Sequence, residues 1–268
     1  MKVGISIWSH HNSLLKGRIS HTEWLKMCGE ELKVDGVELL DFGFQKSFKN
    51  RRIPREPELK KIKKLCADLQ LSIYLVSCGN NFGFSDKKLL KKEITYVKKW
   101  VDVAFYLGAP VLRFFAGRPV PKEKREAGWK SLIYAVRECV KYAEKKGIVF
   151  AVENHNHGGF ISTSADYFRL KKAVKSPYFK LCLDTGNFVD LYKSIGRTLK
   201  EAPVVHAKLY KVMSGKETKL DYEKIFKLFK KNKYNGFLSI EYEGEENEFK
   251  AGKNSVKYLR RMIEKYKY

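Results

Sequence analysis

The 268-residue sequence lacks any uninterrupted apolar run approaching the roughly 18 residues that a membrane-crossing helix requires. It also lacks a Cys-x-x-Cys pair. Cys28, Cys66, Cys78, Cys139 and Cys182 are scattered, and their odd number argues against a disulfide framework, so the thiols are expected to be reduced and mostly buried. No low-complexity linker interrupts the chain and no shift of composition divides it, so 1–268 is expected to form one α/β domain. The opening Met1-Lys2-Val3-Gly4-Ile5 is too briefly apolar for a signal peptide and reads as a first strand. These absences point to a soluble, cytoplasmic protein without a membrane partner.

Acidic residues are scarce: 30 Asp+Glu against 54 Lys+Arg leave a formal charge of +24. A charge of that size suits an anionic partner such as nucleic acid or a phosphorylated sugar. Lysines recur, however, on the outward faces of the predicted helices (Lys60, Lys61, Lys63, Lys64; Lys91, Lys92, Lys98, Lys99), where they solvate the surface. Lys-rich composition is also common in thermophiles. The solvated surface is the preferred reading, with nucleic acid as the alternative, and nothing selects between a monomer and a homo-oligomer.

Hydrophobic residues make up 44% and aromatics 13% of the chain, enough for a sizeable core. Short apolar runs alternate throughout with longer stretches of helical spacing. Strands are expected at 3–8, 36–40, 71–77, 111–115, 148–154, 181–184, 204–209 and 237–242. Helices are expected near 21–33, 56–69, 86–107, 122–146, 163–175, 190–200, 221–232 and 246–266. Boundary chemistry agrees: Ser20 and Glu23 form a capping box, Gly108 and Gly147 can end helices, and Asp221 is an N-cap. Eight β/α pairs in a chain of about 250 residues favour a closed (β/α)₈ barrel over an open sheet.

In such a barrel the active site lies at the C-terminal ends of the strands. Four apolar runs end in polar residues there: Glu153, Asp184, His206 and Glu241. A carboxylate at the end of an apolar strand costs several kcal/mol to desolvate unless it is compensated, on the order of the penalty for any buried ion. One divalent cation shared by all four is the economical solution. The spacings of 31, 22 and 35 residues (153 to 184 to 206 to 241) each leave room for one helix. Strand alternation puts Lys208 on the face of His206, where its ammonium would hold a substrate oxygen. Arg113 is either a substrate ligand or the partner of an inward acid such as Glu38. His155, on the loop after the fifth strand, is a candidate to touch substrate, whereas His157, His10 and His11 read as loop residues. The segment Ser214-Gly215-Lys216-Glu217-Thr218 looks superficially like a phosphate loop, but Tyr210 stands where the first glycine is required.

Taken in order, these segments resemble the xylose isomerase-like TIM-barrel superfamily of sugar phosphate isomerases and epimerases. Ala151-Val152-Glu153-Asn154-His155, followed by Gly158-Gly159, resembles the strand-five glutamate segment. Leu181-Cys182-Leu183-Asp184-Thr185-Gly186-Asn187 is similar to the strand-six Asp-Thr-Gly-His. Val204-Val205-His206-Ala207-Lys208 resembles the His-x-Lys of strand seven, and Ser239-Ile240-Glu241-Tyr242-Glu243-Gly244 the final glutamate. The resemblance spans nearly the whole chain. It implies a substrate contact at position 187, where Asn187 replaces a histidine. The family also holds ketose 3-epimerases, hydroxypyruvate isomerases, inosose dehydratases and the endonuclease IV group, so the fold does not settle the reaction. The extra histidines of a trinuclear site are replaced by Ser77-Cys78-Gly79-Asn80, Arg113-Phe114-Phe115 and Asn187, which leaves one metal.

The expectation is therefore an enzyme with one divalent ion, Mn²⁺ or Mg²⁺ before Co²⁺ or Zn²⁺. Its substrate would be a small sugar or sugar phosphate, isomerised or epimerised through a metal-stabilised enediolate. The resemblance implies that Glu153 and Glu241 exchange the proton. The alternatives are an inosose-type dehydratase on the same site, an endonuclease IV-like abasic-site nuclease or nucleic-acid binder, and a barrel that only binds a sugar.

Overall fold

A computed structural model of the chain describes residues 1–45, 51–157 and 159–267, so Gly158 of the glycine pair lies outside the described residues. Among them, eight parallel strands close into a barrel in chain order: β1 (Lys2–Ser6), β2 (Gly36–Leu40), β3 (Ser72–Ser77), β4 (Val111–Phe115), β5 (Val149–Glu153), β6 (Phe179–Asp184), β7 (Val204–Leu209) and β8 (Phe237–Tyr242). The helices between them are α1 (His11–Leu15), α2 (His21–Lys26), α3 (Asp41–Gln45), α4 (Glu56–Asp68), α5 (Lys87–Leu107), α6 (Arg125–Glu144), α7 (Ser164–Val174), α8 (Tyr192–Thr198), α9 (Tyr222–Asn232) and α10 (Glu248–Lys265). No helix among the described residues is long and apolar enough to cross a membrane. All five cysteines are buried free thiols.

The local signals act as expected, with three corrections. Ser20 and Glu23 cap α2 reciprocally, Gly108 ends α5 at φ +77°, and the Asp221 side chain accepts from Lys224 N. The strand expected at 3–8 stops at Ser6, because Ser6 Oγ accepts from Trp8 N and turns the chain into a 3₁₀ turn over Ile7–His10. The strand expected at 181–184 begins at Phe179: Phe150 pairs with Phe179 and Ala151 with Lys180 through the backbone, whatever the polarity of the side chains. The helix expected near 190–200 starts at Tyr192, since Leu191 stands at φ +35°, ψ −107°, outside the helical region. Two short helices, α1 and α3, occupy the loops after β1 and β2, and the helix expected over 21–33 is α2 continued by a π-helical turn over Met27–Glu31. Lys60, Lys61, Lys63, Lys64, Lys91, Lys92 and Lys99 are exposed, while Lys98 is half-buried 3.3 Å from Glu138.

Contacts gather the chain into two compact units, 1–74 with 204–268, and 75–203. In the first, β1 lies between β2 and β8, with Gly4 beside both Gly36 and Ser239. Gly4 is needed for space: a Cβ there would fall 2.2 Å from Tyr74 Cε1. The Tyr74 ring lies in that gap, stacked on Phe237 at 4.1 Å. Gly244 is needed for the same reason, as its Cβ would fall 1.9 Å from the Tyr210 carbonyl oxygen. In the second unit, β4, β5 and β6 pair in register, Phe114 stacks on Phe150 at 3.9 Å, and Trp100 of α5 and Trp129 of α6 are buried. Asn80 clamps the end of β4, donating to Phe115 O and accepting from Phe115 N, both at 2.8 Å.

His10 follows β1 with no exposed surface, and its Nδ1 accepts from Trp24 Nε1 at 3.2 Å. Burial pushes its imidazole down from 6.5 to about 4, against the opposing pull of Glu248. Between those values the unfolded chain binds a proton that the folded chain refuses, so folded-state stability is full above pH 6.5 and declines as the pH falls toward 4. Urea denaturation is expected to show that lowering the pH from 7 to 5 costs the wild type about 2 kcal/mol more than it costs His10→Gln. Equal losses would contradict a neutral His10.

Candidate functional site

On β5, the apolar run Val149-Phe150-Ala151-Val152 delivers Glu153 to the strand's C-terminal end. Arg113 of β4 shares its inward parity with Phe115, the register partner of Glu153. The pair is buried, with Arg113 Nε 3.0 Å from Glu153 Oε2, and the guanidinium lies 4.3 Å over the Phe115 ring. Asp184 ends β6. Its backbone is clamped by the buried Asn154 side chain, which accepts from Asp184 N at 2.8 Å and donates to Asp184 O at 2.9 Å. Asp184 Oδ1 accepts from Gly186 N at 2.7 Å, the side-chain turn that Asp-x-Gly favours, and this fixes the carboxylate plane.

On β7, alternation gives His206 and Lys208 the same face, and both are buried. Lys208 lies directly beside Glu241 of β8 in the register. Its Nζ stands 2.5 Å from Glu241 Oε2 and 3.1 Å from Glu243 Oε2. Trp8 Nε1 donates to the other Glu243 oxygen at 2.7 Å. His206 Nδ1 stands 3.5 Å from Glu241 Oε1, and Nε2 3.1 Å from Glu38 Oε2.

One ligand atom from each of Glu153, Asp184, His206 and Glu241 lies within 4.8 Å of the other three, and all four residues are buried. Three carboxylates so close together repel, and each loses its hydration. Three oxygens and an imidazole nitrogen are a donor set that divalent cations accept, so this group can hold a metal ion.

The remaining candidates fall nearby in sequence. His155 is half-buried after β5, its ring edge-on to Phe115 at 5.7 Å and 4.2 Å from the exposed His157. Asn187 is buried three residues beyond Asp184. The Ser214–Thr218 segment is organised by its own anion: Glu217 accepts from the amides of Tyr210, Lys211, Lys219 and Leu220. Asn154, Glu243 and Ser239 escaped the reading of the sequence. Glu243 and Ser239 share the parity of Glu241 and were open to the same alternation argument, whereas nothing local marks Asn154 as a clamp.

The chain is similar in fold to several solved structures. A D-psicose 3-epimerase from Clostridium cellulolyticum H10, solved with D-tagatose, is 16% identical at a TM-score of 0.77, with 99% of each chain covered. The 3-keto-D-glucoside 4-epimerase of E. coli is 15% identical at 0.76, covering 97% of this chain and 99% of that one. The probable 3-DHS dehydratase AsbF of Bacillus anthracis is 18% identical at 0.74, again covering 97% and 99%. At these identities the likeness is one of fold. Residues 29–262 match the family described as xylose isomerase-like TIM barrel, and with the closed eight-stranded barrel this places the chain in that family.

Proposed function

We propose that the chain is a divalent-metal-dependent isomerase or epimerase of a small sugar or sugar phosphate, with residues 1–268 acting as one domain. The observation that carries the reading is the buried group of three carboxylates and one imidazole from four consecutive strands. Glu153, Asp184, His206 and Glu241 would hold the ion, with Mn²⁺ or Mg²⁺ suited to the oxygens and Co²⁺ or Zn²⁺ admitted by the imidazole. When bound, the ion supplies the positive charge that acidifies a carbon-bound proton beside a carbonyl.

Glu153 and Glu241 form the acid/base pair: one takes the proton and leaves an enediolate, and the other returns a proton, from the opposite face in an epimerisation. One oxygen of each carboxylate is held by a buried cation, Glu153 by Arg113 and Glu241 by Lys208, which restricts the direction each presents. Asp184 and His206 serve as anchors. Arg113, Lys208, His155 and Asn187 are the groups placed to meet substrate oxygens. Two of the three structures named above are epimerases, which supports this reading. The likeness to a probable dehydratase supports a second, in which the same base removes the proton and a neighbouring hydroxyl departs.

Incubation with a panel of ketoses in deuterated water is expected to give solvent deuterium uptake without other change of mass, whereas loss of water in the product would select the dehydratase. Glu153→Gln and Glu241→Gln should each lower kcat by about 10²–10⁴. Wild-type rates in both would end the mechanism, and nicking of abasic duplex at about 0.1 M salt would favour the nuclease.

Chelator dialysis should abolish turnover and Mn²⁺ should restore it. Mn²⁺ at about 100 times its Kd should also stabilise the protein by about 2.7 kcal/mol, read as a rise in Tm. An unchanged Tm together with no calorimetric binding would remove the metal from the reading.

A further inference from the structure

We infer that Glu38, itself held by a buried hydrogen-bond chain that begins at Tyr74, is a positioning residue for His206. The inference rests on the proposed role of His206 as a metal ligand. Tyr74 OH donates to Ser239 Oγ at 2.6 Å, and Ser239 Oγ donates to Glu38 Oε2 at 2.9 Å. The same oxygen stands 3.1 Å from His206 Nε2. Ser239, Glu38 and His206 are 0% exposed and Tyr74 is 3% exposed, so water does not compete for these bonds.

The direction of the chain bears on which ring nitrogen carries the imidazole proton. Ser239 has one hydroxyl proton, and it goes to Glu38. Glu38 Oε2 therefore faces the ring as an acceptor at ion-pair distance, and the imidazole hydrogen is assigned to Nε2. An imidazole protonated on Nε2 presents the Nδ1 lone pair, and Nδ1 is the nitrogen that faces Glu241 Oε1 at 3.5 Å. A metal needs that unprotonated nitrogen, and a carboxylate behind the other one sets both ring orientation and basicity.

The fold makes room for the chain at its start. Gly4 has no side chain where Tyr74 lies, and a Cβ there would fall 2.6 Å from the Tyr74 hydroxyl oxygen. Gly4 is the register neighbour of Ser239, and Ser239 that of His206.

The test uses the full-length protein and Mn²⁺ alone, titrated by calorimetry. Glu38→Ala should weaken Mn²⁺ binding about 10- to 100-fold. Glu38→Gln, nearly isosteric and keeping an acceptor oxygen, should recover part of that loss and guards against a failure to fold, checked by circular dichroism. In Zn²⁺-loaded protein carrying ¹⁵N-labelled histidine, the His206 signal should show hydrogen on Nε2 in the wild type and in Glu38→Gln, and should change in Glu38→Ala. Wild-type affinity in both variants, or a proton on Nδ1 in the wild type, would overturn the role of Glu38 and leave the metal reading intact. A wild type that binds no divalent ion would overturn both.

Discussion

Carboxylates at and near the C-terminal ends of apolar parallel strands set the constraint to which the other polar groups answer. Each such ion, taken out of water, carries a penalty of several kcal/mol in order of magnitude unless charge or hydrogen bonds replace the lost hydration. Glu153 has Arg113 at 3.0 Å, Glu241 has Lys208 at 2.5 Å, Asp184 has the Gly186 amide, and Glu38 has Ser239 and His206. Three carboxylates and an imidazole whose ligand atoms lie within 4.8 Å of one another suit a further cation.

The same compensation, made with neutral donors, holds the loops. Glu217 gathers four amides after β7, Glu246 takes those of Val212 and Met213, and Glu248 takes those of Asn12 and Ser13. Asn80 and Asn154 do comparable work at the ends of β4 and β6. Several of the 30 acidic residues are thus engaged inside the fold, while lysines of α4 and α5 face water. Glu217 gives the segment around Ser214 an internal anion.

How well the chain could be read beforehand depended on the range of the interaction involved. The bounds of β2, β4, β7 and β8 coincide with apolar runs because side-chain parity and backbone pairing begin and end together there. At β6 they do not, since the backbone pairs through Lys180, and at β1 a single hydroxyl, Ser6 Oγ, ends the strand before its apolar run is over. The short helices α1 and α3 carry too few turns for a period to show.

Alternation and strand-end position, both local properties of the sequence, were enough to establish eight β/α pairs and to place Glu153, Asp184, His206 and Glu241 at the ends of their strands. The partners of these residues were decided by tertiary structure alone. Whether Arg113 lies against Glu153, whether Lys208 bridges Glu241 and Glu243, and whether His206 rests on Glu38 depend on ångström-scale distances between separate strands. The Ser239 to Glu38 bond joins positions 201 residues apart, a separation that no local period encodes and that only barrel closure brings to 2.9 Å.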